Sequence, residues 1–291
     1  MTRVGWIGLG VMGAPMAGHA ARVGHLLTVW ARRPEQGHSV IEAGAAISDS
    51  LQDLAKNVDV LVLCVGGSQD VLDLVSQALP WLPKGALVVD HSTIDPSAAR
   101  DLHAQCLDKG VEFLDAPVTG GSMGAVNGQL TIFCGGSQGA YIRASGLFDS
   151  YAKRHKLVGL PGSGQTMKAA NQIAVGGALL ALCESLAFAE KAGLDLETTR
   201  ELLAGGAAGS WAFDNYGPRI VKRDWSPGFS VKNQRKDFRY VKSAAEAVGA
   251  AVPCTMLVDS LLARLDNDSD RELATTKLFE VFEKAEDTPW T

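Results

Sequence analysis

The feature that most constrains the fold is the segment Gly8-Leu9-Gly10-Val11-Met12-Gly13, which directly follows an apolar run at residues 4–7 and opens a helical stretch at residues 14–22. A G-x-G-x-x-G pattern between a strand and a helix is typical of a dinucleotide-binding unit. Gly8 permits the tight turn, Gly10 lets a pyrophosphate approach the backbone, and Gly13 allows close packing of helix on strand. The helix start also offers unpaired N–H groups to phosphates. All six residues are therefore predicted to bind a cofactor.

The first half of the chain alternates short β-rich runs with helical stretches. Strand–helix alternation implies a parallel sheet with helices on both faces, and strands buried on both faces are almost continuously apolar. The sequence therefore predicts an α/β fold whose N-terminal domain is a Rossmann-type, doubly wound parallel sheet. The predicted strands are residues 4–7, 26–29, 60–65, 86–90, 112–114 and 130–133, and the predicted helices between them include residues 14–22, 71–79 and 97–109.

The pattern changes near Pro161, since no convincing strand follows Gln165. A long segment, residues 166–192, is apolar around much of its circumference, which predicts a buried helix, and Gly193 suits its C-cap. We predict a cofactor-binding domain over residues 1–162, joined by this long helix to an all-α substrate and oligomerisation domain over residues 163–291. Further helices are predicted at residues 196–204, 233–248, 255–265 and 273–284.

Charge and composition narrow the partners. The net charge of −5 argues against nonspecific nucleic-acid binding, which needs a basic face. The five cysteines are scattered without zinc-ligand spacing, so we predict no metal site and free thiols in a reducing cytoplasm. The most apolar later stretch, residues 173–183, is shorter than the ~20 residues that span a bilayer, so no membrane association is expected. The predicted partner is a small molecule.

The identity of the cofactor should be encoded at the end of the second predicted strand. An NAD site usually places an acidic residue there for the ribose hydroxyls. This chain has Arg32 and Arg33 instead, and its first acidic residue in that region is Glu35. Two guanidinium groups are suited to clamp a 2′-phosphate. The sequence therefore favours NADP, with NAD as the alternative.

Three further motifs, together with the N-terminal glycine pattern, identify a family. With that pattern they resemble the β-hydroxyacid dehydrogenases, such as 3-hydroxyisobutyrate dehydrogenase and tartronate semialdehyde reductase. The resemblance covers nearly the whole chain, including Lys236-Asp237-Phe238 late in the helical half. The motifs are Asp90-His91-Ser92-Thr93-Ile94, then Asp115-Ala116-Pro117-Val118-Thr119-Gly120-Gly121-Ser122-Met123-Gly124-Ala125, then Gly162-Ser163-Gly164-Gln165-Thr166-Met167-Lys168-Ala169-Ala170-Asn171-Gln172.

The resemblance implies catalytic and substrate-binding roles. Lys168 matches the catalytic lysine of the family, and Asn171 matches an asparagine that helps to hold the substrate. Thr119-Gly120-Gly121 matches a substrate-binding loop that usually begins with serine, so that the threonine methyl group narrows the site here. Lysine suits the chemistry, because hydride transfer to a carbonyl leaves negative charge on oxygen that a cationic acid stabilises and then protonates.

The resemblance also implies contacts with the cofactor. Thr93 matches a residue beside the nicotinamide. Lys236 matches a lysine that closes over both the cofactor and the substrate, with Asp237 as its partner. Val65 belongs to the cofactor-side loop after the third predicted strand, which lacks the proline usual in the family.

The predicted function is therefore that of an NAD(P)-dependent oxidoreductase interconverting a small 3-hydroxy or 4-hydroxy acid and its semialdehyde, with lysine as general acid and base. Imine reductases share the architecture but usually carry a different residue in place of Lys168. A non-catalytic NADP-binding module is a second alternative, although it would be expected to lose Lys168 or Asn171. Because the long helix is apolar on more than one face, a homodimer or homotetramer is expected.

Overall fold

The structure is a computed structural model that describes residues 2–284; residue 1 and residues 285–291 of the predicted domains lie outside the described part. The chain divides into two compact units after Lys168. The first unit is built on a sheet with flanking helices, and the second is built on helices. This confirms the predicted fold class. The predicted domain boundary between residues 162 and 163 stays a prediction.

The first unit contains one nine-stranded sheet in the order β3-β2-β1-β4-β5-β6-β8-β7, with β9 beside β8. The strands from β3 to β6 in that order run parallel, whereas β8 is antiparallel to both β6 and β7 and parallel to β9. The strands are β1 (Arg3–Ile7), β2 (Leu26–Trp30), β3 (Ala46–Ile47), β4 (Val60–Leu63), β5 (Leu87–Asp90), β6 (Glu112–Asp115), β7 (Val118–Thr119), β8 (Leu130–Gly135) and β9 (Ala152–Gly159).

Every predicted strand is present, and three more strands were not predicted. Strands β3 and β7 are two residues long, too short to show a pattern. Strand β9 lies at an edge of the sheet and carries Lys153, Arg154 and Lys156, so its sequence lacks the apolar pattern of the other strands. The antiparallel direction of β8 was also not predicted, because an apolar run indicates a strand but not its direction relative to neighbouring strands.

The sheet is buried on both faces, as its apolar strands predict. Along β4, Val60 and Val62 join one hydrophobic cluster, while Leu61 and Leu63 join another. Successive side chains of a strand point to opposite faces, so helices must cover both. The helices of this unit are α1 (Gly13–Arg22), α2 (His38–Glu42), α3 (Leu51–Lys56), α4 (Ser68–Ala78), α5 (Pro96–Asp108), α6 (Gly121–Val126) and α7 (Gln138–Phe148), with a 3₁₀ turn at Pro34–Gly37.

The long helix α8 (Ser163–Lys191) begins in the first unit and continues into the second. Gly193 lies just beyond it at φ +80°, a conformation that favours glycine and stops the helix as predicted. The helical core includes Leu182, Phe238 and Phe279. The other helices are α9 (Leu196–Ala204), α10 (Trp211–Asn215), α11 (Gly217–Val221), α12 (Val231–Val248), α13 (Pro253–Ala263) and α14 (Leu278–Glu283), the last preceded by a 3₁₀ turn at Thr275–Lys277.

Helix α8 is longer than its most apolar stretch suggested. Among the described residues it is the one helix whose length and composition would allow it to cross a bilayer. A core helix of a soluble protein meets the same criterion. The expected absence of a membrane partner stays a prediction.

Candidate active site

The predicted cofactor residues of the first unit follow the carboxyl ends of neighbouring parallel strands. The glycine loop follows β1, Arg32 and Arg33 follow β2, Val65 follows β4, and Thr93 follows β5. These strands are adjacent in the order β2-β1-β4-β5. The fold therefore brings segments separated by up to about 80 residues to one edge of the sheet, where ligands of doubly wound folds bind.

Two of the three glycines in the glycine loop are required by the fold itself, and the third is not. Gly8 lies at φ +94°, and a Cβ there would collide with the carbonyl oxygen of Cys64. A Cβ on Gly13 would collide with the carbonyl oxygen of Gly8. Nothing lies within 4 Å of a Cβ built on Gly10. The bare backbone at Gly10 thus leaves open surface beside the start of α1, and this surface fits a dinucleotide pyrophosphate.

The arginines at the end of β2 are exposed, and one of them has an acidic neighbour. The Arg32 Nη2 lies 3.7 Å from the Oδ1 of Asp70, which comes from α4, and 78% of the Arg32 side chain is exposed. Arg33 has extended backbone and precedes the 3₁₀ turn. Asp70 was missed in the sequence because it is far from β2 along the chain. It adds negative charge beside the predicted 2′-phosphate site.

The loop after β5 is held by buried and partly buried hydrogen bonds. The Ser92 N–H donates to Asp90 Oδ1 (2.9 Å), and the Val65 N–H donates to Ser92 Oγ (2.9 Å). His91 is buried, with Nδ1 2.6 Å from the Ala116 carbonyl oxygen and Nε2 2.9 Å from the Tyr151 hydroxyl.

A neutral His91 imidazole has one arrangement of protons that satisfies both contacts. A carbonyl only accepts, so Nδ1 carries the proton and Nε2 accepts from Tyr151. Burial lowers the pKa of His91 to about 4, with the Ala116 hydrogen bond opposing that shift. Burial also raises the pKa of Tyr151 well above its usual value. The neutral His91 side chain therefore links the end of β5 to Ala116 after β6 and to the neutral Tyr151 hydroxyl.

The predicted substrate loop forms the turn between β7 and α6. Thr119 is the last residue of β7 and pairs with Thr131 of β8. Gly120 and Gly121 follow at φ +129° and +64°, and a Cβ on Gly120 would lie 3.2 Å from Leu130 Cδ2. Two successive residues at positive φ favour glycine, which keeps the peptide groups beside Thr119 uncovered by side chains.

A buried carboxylate secures the start of α8. Asp115, the last residue of β6, accepts from the Gly162 N–H at Oδ1 (2.8 Å) and from the Gln165 N–H at Oδ2 (2.9 Å). Burial raises the pKa of Asp115 to about 6, although the backbone hydrogen bonds oppose the shift. A Cβ on Gly164 would lie 2.6 Å from the Asp115 carbonyl oxygen, so glycine is needed for this close approach. Lys168 lies one helical turn after Gln165 and is 8% exposed.

In the helical unit the structure brings three predicted residues together through a fourth. The Asn171 Nδ2 donates to Gln172 Oε1 (2.9 Å), and the Gln172 Nε2 donates to Asp237 Oδ2 (2.8 Å). The Lys236 Nζ lies 3.2 Å from Asp237 Oδ1 and 5.7 Å from the centroid of the Tyr240 ring. Gln172 and Asp237 are both buried. Gln172 lies within the quoted motif, but only the structure identifies its partners.

Two aromatic residues of the helical unit differ in their surroundings. Phe213 packs in the helical core, whereas Trp211 is 48% exposed and makes an edge contact with Tyr216. Within residues 2–284, no group of three or more His, Cys, Asp or Glu side chains is arranged to hold a metal ion.

Comparisons with known proteins bear on the family to which the chain belongs. A family model for the NAD binding domain of 6-phosphogluconate dehydrogenase matches residues 3–170, and a model for the NAD-binding region of NADP-dependent 3-hydroxyisobutyrate dehydrogenase matches residues 162–282. A probable mitochondrial 3-hydroxyisobutyrate dehydrogenase-like protein of Arabidopsis thaliana is 38% identical, with 97% of this chain and 86% of the relative covered. The 2-hydroxy-3-oxopropionate reductase of Escherichia coli is 33% identical, with 97% of each covered.

Among solved structures, a Mycobacterium tuberculosis 3-hydroxyisobutyrate dehydrogenase with L-serine is similar, with a TM-score of 0.87, 27% identity, and coverage of 96% of this chain and 98% of that one. The matches extend over both units and include the sequence motifs on which the resemblance depends. The chain therefore belongs to the β-hydroxyacid dehydrogenases, a family of nicotinamide-dependent oxidoreductases, as its motifs predict.

Proposed function

We propose that this protein is an NADP-dependent oxidoreductase that interconverts a small 3-hydroxy or 4-hydroxy acid and its semialdehyde. The observation that carries the proposal is the attachment of the lysine-bearing helix to the cofactor edge of the sheet. The side chain of Gln165 bonds to Ser92 and Ile94, on either side of Thr93, and Lys168 follows one turn later in α8. A proton donor is thereby held in the same unit as the dinucleotide loop.

Lys168 acts as the general acid and base in this proposal. The bound nicotinamide supplies or accepts the hydride. In the reducing direction the Lys168 ammonium stabilises negative charge on the carbonyl oxygen and donates a proton to it, and in the other direction the amine takes the proton from the hydroxyl. Asn171 lies three residues further along α8, on the same side of the helix, and orients the substrate oxygen.

The substrate is a small carboxylate held by Thr119-Gly120-Gly121. The two glycines at positive φ leave peptide N–H groups uncovered, and the Thr119 hydroxyl adds a further donor. Two of the similar proteins support this class, since one is named for 2-hydroxy-3-oxopropionate and the other was solved with L-serine, and both molecules are small carboxylates. Candidates are 3-hydroxyisobutyrate, tartronate semialdehyde, and succinic semialdehyde with 4-hydroxybutyrate.

NADP is the proposed cofactor because Arg32 and Arg33 offer two cations where an acidic residue would bind the ribose of NAD. The match to the NADP-dependent 3-hydroxyisobutyrate dehydrogenase model supports this preference. Asp70, 3.7 Å from Arg32, opposes it. NAD is the alternative, and a measured kcat/KM that favours NAD would contradict the assignment.

We further propose a cytoplasmic homodimer or homotetramer. In the helical unit, Phe188 and Leu202 are each 73% exposed, and large apolar side chains exposed in this way favour burial in an interface. Within the described residues no disulfide joins the cysteines, which suits a reducing compartment. Neither nucleic acid nor membrane is a proposed partner.

The decisive experiment is turnover of a panel of semialdehydes and hydroxy acids with both nicotinamide cofactors. We expect oxidation of NADPH with a small carboxylate semialdehyde and a much higher KM for its methyl ester, because the ester lacks the charge that the loop binds. Equal KM values for acid and ester would contradict the substrate class.

Two alternatives are resolved by the same panel. Turnover of a cyclic imine in preference to all semialdehydes would identify an imine reductase. Tight NADPH binding without turnover of any panel member would identify a non-catalytic binding module. Thr119→Val tests the loop independently, since loss of the hydroxyl should raise KM for every acid while Thr119→Ser should widen acceptance toward branched acids.

A further inference from the structure

We propose that Gln165 is a positioning residue that holds Thr93, and with it the nicotinamide end of the cofactor, in register with Lys168. The inference rests on the proposed function and extends it to a residue that lies one helical turn before the lysine. Gln165 is 1% exposed, so its side-chain amide must satisfy its hydrogen bonds within the protein.

The side-chain amide of Gln165 pairs with the backbone on both sides of Thr93. The Ile94 N–H donates to Gln165 Oε1 (3.1 Å), and the Gln165 Nε2 donates to the Ser92 carbonyl oxygen (2.8 Å). The Ile94 N–H can only donate and the Ser92 carbonyl can only accept, so these partners define which end of the amide is oxygen. Two contacts at 92 and 94 restrain the peptide groups that flank Thr93, much as a neighbouring strand would.

The backbone of Gln165 is held just as firmly. Its N–H donates to the buried Asp115 carboxylate at the end of β6 (2.9 Å), and the same carboxylate accepts from Gly162. On the other side, Ser92 Oγ accepts from the Val65 N–H after β4 (2.9 Å). Gln165 therefore bonds directly to the chain after β5 and to the end of β6, and Ser92 extends this network to the chain after β4.

Only an amide satisfies this pair of contacts at neutral pH. Methionine has similar length but leaves the Ile94 N–H and the Ser92 carbonyl unpaired. An ionised glutamate accepts from Ile94 but places negative charge against the Ser92 carbonyl, whereas a protonated glutamate restores a donor. The substitution Gln165→Glu is therefore expected to work better in acid than at neutral pH.

The first test compares two ligands that share the 2′-phosphate end of the cofactor. NADP⁺ contains the nicotinamide and 2′,5′-ADP does not, so a residue that positions the nicotinamide end should affect the first alone. We expect Gln165→Met to raise the Kd for NADP⁺ about tenfold, the scale of one lost hydrogen bond, and to leave the Kd for 2′,5′-ADP within about twofold. Gln77→Met, at an exposed position of α4, is the matched control and should change neither.

The second test uses pH and remains informative if the methionine variant does not fold. For Gln165→Glu, the ratio of the two Kd values should approach that of the wild type as the pH falls from 8 to 5. Asp115 at the end of β6 accepts from the Gln165 N–H, and Asp90 at the end of β5 accepts from the Ser92 N–H. His91 follows Asp90 and Lys168 lies on α8, and all four groups are present in the wild type too. The wild-type ratio measured across the same pH range therefore supplies the baseline.

The outcomes separate this inference from the proposed function. If Gln165→Met weakens the binding of NADP⁺ and 2′,5′-ADP equally, the positioning role is overturned even if the wild type reduces semialdehydes. The same conclusion follows if the ratio of the two Kd values in Gln165→Glu does not move toward the wild-type ratio in acid. A selective loss of NADP⁺ affinity in a protein without turnover would support the positioning role and refute the proposed function. In an active enzyme, Gln165→Met should also lower kcat about 10²-fold, because small misplacements of reacting groups cost that much. If the wild type prefers NAD, the same ratios are measured with NAD⁺ and ADP-ribose.

Discussion

Substituting alanine at two glycines of the same loop should have different effects on the free energy of unfolding, and the substitution that the fold tolerates should weaken cofactor binding. A Cβ on Gly10 meets nothing within 4 Å, and Gly10 is not among the glycines at positive φ. Gly10→Ala should therefore leave the free energy of unfolding unchanged or raise it by about 0.4–1 kcal/mol, because alanine restricts the unfolded chain. A Cβ on Gly13 collides with the Gly8 carbonyl oxygen, so Gly13→Ala should lower the free energy of unfolding by about 1–3 kcal/mol.

Gly10→Ala, which should fold normally, is expected to bind NADP⁺ more weakly. The methyl group of Gly10→Ala stands where the pyrophosphate must approach the backbone, and loss of one hydrogen bond to a charged group costs about 1.5–3 kcal/mol. The Kd for NADP⁺ should then rise about 10-fold to 100-fold. Urea unfolding measures the first quantity and titration calorimetry the second.

The matched control is Gly146→Ala in α7, where a Cβ also meets nothing within 4 Å. It should stabilise the protein by about 0.5–1 kcal/mol without changing the Kd. Wild-type affinity for NADP⁺ in Gly10→Ala would show that the dinucleotide does not cross this glycine. Unchanged stability in Gly13→Ala would contradict the close approach of Gly13 to the Gly8 carbonyl oxygen.

Lys168→Ala should lower kcat about 10²-fold or more while the Kd for NADP⁺ stays constant, and Lys191→Ala at the other end of α8 should affect neither; retained kcat in Lys168→Ala would refute the lysine mechanism. Replacing Arg32 and Arg33 by alanine should weaken NADP⁺ binding by about 1–3 kcal/mol and leave NAD⁺ unaffected in calorimetry. Because the pKa of His91 is lowered from 6.5 to about 4, its contribution to stability is complete above pH 6.5 and declines by about 3 kcal/mol as the pH falls to 4. His91→Gln should remove this dependence from urea unfolding; a difference from the wild type that does not vary with pH would contradict a buried neutral imidazole. Sedimentation at micromolar concentration should give a dimer or tetramer, and a monomer would refute the oligomer.

Much of the architecture is readable from local patterns. The apolar strands, the glycine loop and the long helix are each encoded by contiguous residues, because burial on both faces and helical periodicity act over a few positions. The glycine at 193 ends α8 for an equally local reason, since its φ is positive. The family motifs contain the candidate site residues. These residues lie at the ends of adjacent strands because the strands that precede them are parallel.

Contacts between distant segments were beyond the reach of these patterns. The antiparallel direction of β8, the carboxylate of Asp115 at the start of α8, and Asp70 beside Arg32 join residues that are remote in sequence. Gln165 lies in a recognised motif, yet its amide finds partners more than 70 positions earlier. A buried polar group must be paired somewhere, but its own sequence does not say where, because the partner depends on which strand ends the tertiary fold brings against it.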